Sequence, residues 1–364
     1  MEIKEAINYL EHYAPLAYQE SYDNSGVITG NVNLELSGVL ICIDSTEEVV
    51  DEAIKNNCNL IVAHHPIIFS GLKKITGATY PERVLIKAIQ NNIVIYAAHT
   101  NFDNIKGGVN SKIAEKLALK NCKILAPKKQ LLRKLITFCP GNKSYQLRQA
   151  LFAAGAGTVG NYTECSFNTE GEGTFKPALN TQPYVGEIGI QHTEKEVKVE
   201  TIYPLNIEAN VLQTLFSNHP YEEVAYDIIS LNNTYNQVGA GIIGELEQEE
   251  DAYLFLKKIK KDMQTACVRH TEIVKKSIKK VAVCGGSGSF LLNQAIAQGA
   301  DIFITSDFKY HQFFDAEKQI LIADIGHYES EQYTKELFYD ILKEKIPTFA
   351  LYLSKINTNP VNYL

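Results

Sequence analysis

The chain has 364 residues, 45% hydrophobic and 21% charged, with a formal net charge of −7. This is ordinary for a globular protein of two or three domains, and without a basic stripe it argues against nucleic acid as a partner. The seven cysteines are scattered with no C-x-x-C pair, which argues against a thiolate zinc site or a disulfide framework and fits reduced thiols in a cytoplasmic protein. Met1–Glu5 opens an amphipathic helix rather than the apolar stretch of a signal peptide, and no run approaches a membrane span.

Residues 1–14 read as a helix with Ile3, Ala6, Ile7 and Leu10 on one face. Asp23-Asn24-Ser25-Gly26 is a turn cluster. Gly38–Asp44 is a strand ending in a carboxylate, and a helix from Thr46 to Asn56 follows, with Glu47 and Glu48 near its positive end. Leu60–His65 is the next strand, stopped by Pro66, which has no donor for a ladder. Strand, helix, strand at this spacing is a βαβ unit with parallel strands. A helix to about Asn91 leads to the strand Asn92–His99, with Asp103 four residues on, and Gly107-Gly108-Val109 opens a helix through Leu117.

The texture changes at the polar joint Ala126-Pro127-Lys128-Lys129. Lys134–Cys139 reads as a strand and Tyr145–Ala154 as a helix. Extended segments follow around Asn161–Phe167 and Val197–Tyr203, separated by a polar, Gly-rich excursion at Glu170–Gly173. Asn206–Ser217 is a helix and Val224–Leu231 a strand. The order βαββαβ is that of a ferredoxin-like α+β module. The expected domains are 1–126, an insert over 127–233, and 234–364. Beyond the insert, strands are expected at Val238–Gly244, Lys280–Cys284, Asp301–Thr305, Gln319–Ile325 and Thr348–Leu353. Helices are expected at Ala252–Gln264, Phe290–Gln298, from Phe308, and up to Lys345.

Asp44, His64, His65 and His99 close predicted strands, with Asp103 just beyond, on the edge where open α/β sheets place their ligands. Neighbouring residues on extended chain point to opposite sides, so His64 and His65 serve two metal ions more easily than they chelate one. His327 and Glu331 are four apart at a helix start and share one face. Imidazole with carboxylate suits zinc, iron or manganese, and this set, without sulfur, is too rich for one tetrahedral site and right for two ions bridged by a carboxylate.

Other motifs leave two readings open. Gly285-Gly286-Ser287-Gly288 either forms a phosphate-binding nest or is a tight strand-to-helix turn. Asp307, Lys309 and His311 either face the metals, with Asp307 or His311 shuttling protons, or begin an ordinary polar helix. Asp44 lines the same rim.

Ala63-His64-His65-Pro66, His99-Thr100-Asn101-Phe102-Asp103 and Gly326-His327-Tyr328-Glu329-Ser330-Glu331 resemble the three metal motifs of the NIF-three-like family, whose bacterial members are often labelled GTP cyclohydrolase type-two homologues. Tyr22–Gly26, Thr305–His311 and Asn359-Pro360 match too, with Ser306 where the family commonly has glycine. The middle segment resembles the PII- or CutA-like insert of longer members, notably at Gly157–Phe167 and His219–Glu223. The resemblance implies a three-layer α/β core with a mostly parallel sheet, interrupted by that insert. It implies one ion on His65 and Asp103 and the other on His64 and His327, with Glu331 bridging. His99 would stand behind them, orienting Asp103 or a water. It implies a toroidal homohexamer. The expected function is a dinuclear metal-dependent hydrolase of unspecified small-molecule substrate, with zinc or iron as the ions and manganese third. The alternative is a non-catalytic metal-binding regulatory or scaffold protein.

Overall fold

The computed structural model describes residues 1–364. The chain forms two compact units, one of Met1–Pro127 with Asn236–Leu364 and the other of Lys128–Tyr235.

The first unit holds two sheets. In one the strand order is Gly26–Thr29, Val94–Ala97, Leu60–Ala63, Val39–Cys42, Leu351–Leu353. The last four run parallel, in registers such as Ile41 with Val62 and Val62 with Tyr96, and Gly26–Thr29 pairs antiparallel at one edge. The three central strands are buried along their whole length, as sequences without polar alternation require. The helix Glu47–Lys55 follows Val39–Cys42, with the Thr46 hydroxyl accepting from the Val49 N–H. Tyr80–Gln90 starts with proline in its first turn, where a missing N–H costs no helical bond.

The second sheet is mixed. Its order is Arg269–His270, Leu321–Asp324, Ile302–Ser306, Ser277–Ser287, Thr234–Asp251, Lys120–Lys129. Ser277–Ser287, Ile302–Ser306 and Leu321–Asp324 are parallel to each other, while Arg269–His270 and Thr234–Asp251 pair antiparallel. The expected mostly parallel arrangement therefore describes the first sheet and not the second. The segment read as a polar joint at residues 126–129 ends the strand Lys120–Lys129. This is an edge strand, where Pro127 can forgo its ladder bond, and Ile124 and Leu125 supply the burial. The helix expected from Phe290 is a 3-10 turn, Ser289–Leu291, followed by the short helix Leu292–Ala297. The segment opening at Phe308 is another 3-10 run, Tyr310–Ala316. No helix is long and apolar enough to cross a membrane.

The second unit is one antiparallel sheet in the order Ser166–Phe175, His192–Pro204, Leu132–Pro140, Tyr226–Leu231, with the helices Ser144–Ala153 and Glu208–Asn218. Leu147, Leu151, Val211 and Leu215 from the helices pack with Leu135, Val199 and Tyr203 from the sheet. The Gly-rich stretch expected as an excursion is part of the edge strand Ser166–Phe175, paired from Ser166 with Thr201 to Phe175 with His192. That strand is largely exposed, so its backbone ladder rather than apolar burial holds it extended, and its sequence shows no apolar alternation.

Candidate metal centre

The parallel strands of the first sheet deliver two elements of the site to one edge. Leu60–Ala63 ends where the His64 N–H bonds the Cys42 and Ile43 carbonyls and the His65 N–H bonds Ile43. Val94–Ala97 ends before His99, which caps the one-turn helix Thr100–Asp103. The second sheet supplies the rest: Leu321–Asp324 leads through Gly326 into the helix His327–Glu331. Gly326 has φ +92, and a Cβ there would stand 2.3 Å from a Glu329 carboxylate oxygen, so this strand-to-helix turn requires glycine.

Four imidazoles meet here, and each has its Nδ1 held by an oxygen. His64 Nδ1 lies 2.9 Å from the Ala98 carbonyl, His65 Nδ1 2.7 Å from Asp44, His99 Nδ1 2.7 Å from Asp23 and His327 Nδ1 2.6 Å from Asp307. An acceptor at Nδ1 fixes a proton there, so Nε2 is the nitrogen that a metal ion would take in place of a second proton. His65 Nε2 is 3.0 Å and His327 Nε2 3.2 Å from Glu331 Oε2, and the two nitrogens are 3.3 Å apart. His64 Nε2 is 3.6 Å from Glu331 Oε1 and 3.8 Å from Asp103 Oδ1.

The buried atoms His64 Nε2, Asp103 Oδ1 and Glu331 Oε2 have no hydrogen-bond partner. Buried polar atoms are rarely orphaned, and three aimed into one cluster fit a cation. The side chains fall into two groups able to hold a metal ion, His65 with His327 and Glu331, and His64 with Asp103 and Glu331; His99 joins a third group with His64 and His65. Glu331 is common to the first two. The side chains group differently from the ligand pairing that the resemblance implies: His327 stands with His65 and Asp103 with His64. The cause is the strand end, where consecutive side chains diverge and His65 is turned toward Asp44, just past the end of the neighbouring strand.

A family model described as Duf34/NIF3 (NGG1p interacting factor 3) matches residues 1–360. The chain is 39% identical over 363 residues to a Halalkalibacterium halodurans protein named GTP cyclohydrolase 1 type 2 homolog, covering 98% of each. It is 36% identical to the Bacillus subtilis protein of the same name, covering 99% of this chain and 98% of that one. The crystal structure of a Bacillus cereus protein related to NIF3 superposes with a TM-score of 0.86 at 36% identity, covering 100% of this chain and 99% of that one. The chain belongs to the DUF34/NIF3 family.

Within this family frame, the electrostatics of the cluster follow from burial opposed by charge. Burial alone would lower the His65 imidazole, but Asp44 and Glu331 push it up to about 10. His327 goes to about 11 on the same grounds, with Glu331 and Asp307 as its partners. Burial would raise Glu331, yet the facing imidazoles hold it well below the usual carboxylate range. Asp103 is raised, by burial first and then by the Glu331 charge. A site that draws protons onto its imidazoles is one whose carboxylates call for compensating positive charge.

Other residues singled out in the sequence have different tasks. Asp44 and His99 sit at the cluster, Asp44 behind His65 and His99 with its ring centroid 5.3 Å from that of His64. Asp307, in the left-handed region at φ +59, holds His327, so it positions an imidazole where proton shuttling was expected. His311 is exposed, its ring against Tyr310, and it lines no cavity at the cluster. The expectation for His311 is corrected: the 3-10 run turns it outward.

The glycine motif is corrected too. Gly285 and Gly286 lie within the strand Ser277–Ser287, and their N–H groups already bond Asn110 Oδ1 and Ser330 Oγ, so they are not free to cradle phosphate. A Cβ at Gly286 would stand 2.3 Å from Glu331 Oε1, and one at Gly285 3.3 Å from Glu331 Cγ. These glycines make room for Glu331, with Ser287 and Gly288 carrying the chain into the 3-10 turn.

Three residues escaped sequence reasoning. Asp23 binds His99 and accepts from the Thr100 N–H at 3.0 Å and the Ser25 hydroxyl at 2.7 Å. Burial opposes its ionisation, and these bonds hold it ionised well below the usual range. Asn110 ties the Asp103 carbonyl to the Gly285 N–H. Thr358 donates to Asp44. Asp23 left one trace, a carboxylate in the Tyr22–Gly26 motif; Asn110 and Thr358 left none.

Proposed function

We propose that this chain is a dinuclear metal-dependent hydrolase. The observation that carries the reading is the shared Glu331, which stands between two ligand groups and whose Oε2, with His64 Nε2 and Asp103 Oδ1, is buried without a hydrogen-bond partner. His65 and His327 would hold one ion, His64 and Asp103 the other, with Glu331 on both. Zinc and iron fit this nitrogen and oxygen set best, and manganese comes third. Two bound divalent ions would acidify water and polarise an electrophilic carbon or phosphorus. The chain's own residues supply the rest. Asp44, Asp307, Asp23 and the Ala98 carbonyl hold the imidazoles in one tautomer and orientation. A cavity of about 680 Å³ opens onto His65, His99, Asp103, His327 and Glu331, which a purely structural clamp does not need.

The relatives' name, GTP cyclohydrolase 1 type 2 homolog, suggests ring hydrolysis as the reaction type. We infer further that residues 128–235 are a PII- or CutA-like inserted domain, on their βαββαβ order, and that the protein is a cytoplasmic homohexamer, on the family resemblance.

Elemental analysis of protein purified without chelator is expected to find about two ions per chain. Glu331→Gln keeps the side chain's size and removes the shared charge, and it should bring the content to one ion or fewer and abolish turnover on any substrate found. Wild-type content that stays well below one after zinc or iron is added refutes the metal reading. Full occupancy with no turnover on phosphoesters, nucleotides or cyclic amides leaves the non-catalytic scaffold. Light scattering at the mass of a monomer refutes the hexamer.

A further inference from the structure

The cavity over the imidazole cluster has a wall that metal binding leaves unexplained. Four large aromatic side chains line it and remain open to water: Tyr22 at 71% exposure, Phe69 at 58%, Tyr80 at 58% and Phe290 at 65%. Single exposed aromatics are common on proteins, but four around one concave site form an apolar surface of the kind that ligands cover. Phe69 is placed right at the cluster, edge to face with His99 at a centroid distance of 5.8 Å and an interplanar angle of 81°.

The charges of the same wall point the same way. Glu20, Asp44, Asp103 and Glu331 line the cavity, and no lysine or arginine does. Asp23 and Asp307 stand directly behind His99 and His327. Leaving Glu20 aside, Asp23, Asp44, Asp103, Asp307 and Glu331 are five carboxylates, and two divalent ions bring four positive charges. The ligating imidazoles of His64, His65 and His327 are neutral, and a charge on His99 would cancel Asp23 alone. Five negative charges against four positive leave no surplus to receive a polyanion. Sites that do receive phosphoryl chains surround them with Arg, Lys or free backbone N–H groups, and here the N–H groups of Gly285 and Gly286 are already bonded.

We propose that this cavity takes an uncharged planar ring, of the nucleobase or cyclic-amide kind, stacked on the aromatic wall, and that it discriminates against nucleoside triphosphates. The ligand class follows from the cavity itself, and the chemistry rests on the hydrolase reading. For a cyclic amide the reaction is balanced by one water. The carbonyl carbon gains the oxygen, and the C–N bond breaks with its electron pair going to nitrogen. One proton of the water goes to that nitrogen and the other leaves as the new acid ionises, giving a ring-opened carboxylate and a terminal NH2 group (amine, or ureido from dihydrouracil). No oxidant or reductant is consumed.

The test is equilibrium dialysis of the full-length protein, loaded with two equivalents of zinc, against guanosine, GMP and GTP, which share one ring and differ in charge. Zinc retained by the protein is measured in every cell, so that stripping of zinc by the triphosphate is not scored as binding. Guanosine is expected to bind at least about tenfold tighter than GTP at low salt, and the gap should narrow as salt screens the repulsion. Phe290→Ala, at an exposed position that the fold does not need, should weaken guanosine by about tenfold, the usual scale of ring stacking, with zinc content unchanged. GTP binding as tightly as guanosine or tighter, or guanosine affinity untouched in both Phe290→Ala and Phe69→Ala, overturns the proposal. Dihydrouracil, an uncharged cyclic amide, separates the two readings. Guanosine preferred and stacked, with dihydrouracil left intact, supports the ligand class and counts against hydrolysis. Ring opening of dihydrouracil that Phe290→Ala slows through a raised KM supports both.

Discussion

Each imidazole of the cluster is governed by the oxygen behind it, which makes those oxygens separable from the ligands themselves. Asp307→Asn keeps a side chain that tolerates the left-handed backbone at this position and removes the charge behind His327. It should weaken zinc about 10–100-fold, the usual cost of losing a carboxylate behind a ligating imidazole, as read by competition with a chromophoric chelator, while the thermal midpoint stays near wild type. Gly286→Ala should act more harshly. Its φ of +60 strains any L side chain by about 1–2 kcal/mol, and its Cβ would collide with Glu331 Oε1. The expected outcome is loss of metal together with a lower midpoint. A variant that binds two ions normally would show that Glu331 can move aside at little cost.

At the scale of elements, two features make stability depend on single groups. The helix Ala252–Asp262 is capped by Asp251, whose carboxylate accepts from the Tyr253 and Leu254 N–H groups at 3.0 Å each. Asp251→Ala should cost about 1 kcal/mol in urea unfolding. In the second unit, His219 is buried with both ring nitrogens engaged: Nε2–H donates to the Phe138 carbonyl and Nδ1 accepts from the Tyr221 N–H. Burial lowers its pKa below the usual imidazole value, and a proton on Nδ1 would face another donor. The unfolded chain takes up that proton first, so this contribution to stability is full above about pH 6.5 and is lost as pH falls toward the depressed folded value. Hydrogen exchange over residues 128–235 should quicken between pH 7.5 and 5 after correction for the intrinsic rate, and His219→Gln should flatten that response. The same scale shows what pattern reading can and cannot see. Leu60–Ala63 and Val94–Ala97 were legible as strands because both faces are buried and the residues are all apolar. Ser166–Phe175 was not, since an exposed edge strand is held by its ladder with His192–Thr201, and a ladder leaves no mark on side-chain composition.

For the whole molecule, the cluster, its supporting oxygens and its cavity all lie in the unit formed by Met1–Pro127 and Asn236–Leu364. Replacing residues 128–235 by a short flexible linker is therefore expected to leave metal content at the level of the intact chain. Loss of metal in a truncated protein that still shows a cooperative thermal transition would give the second unit a role in the site.

The sequence by itself determined where the ligand-type side chains fall along the chain. Apolar runs end at Asp44, His64 and His99, and a strand that stops at a proline or runs into a helix must present its last side chains at the sheet's edge. Only the tertiary structure decided the partnerships. His65 could be matched with His327 rather than Asp103 only once the second sheet had brought the helix His327–Glu331 against the strand end, because that contact spans 262 residues. The task of Gly285 and Gly286 was hidden for the same reason. A glycine is selected by what lies over it, and what lies over these two is Glu331, a neighbour in space that no local pattern places.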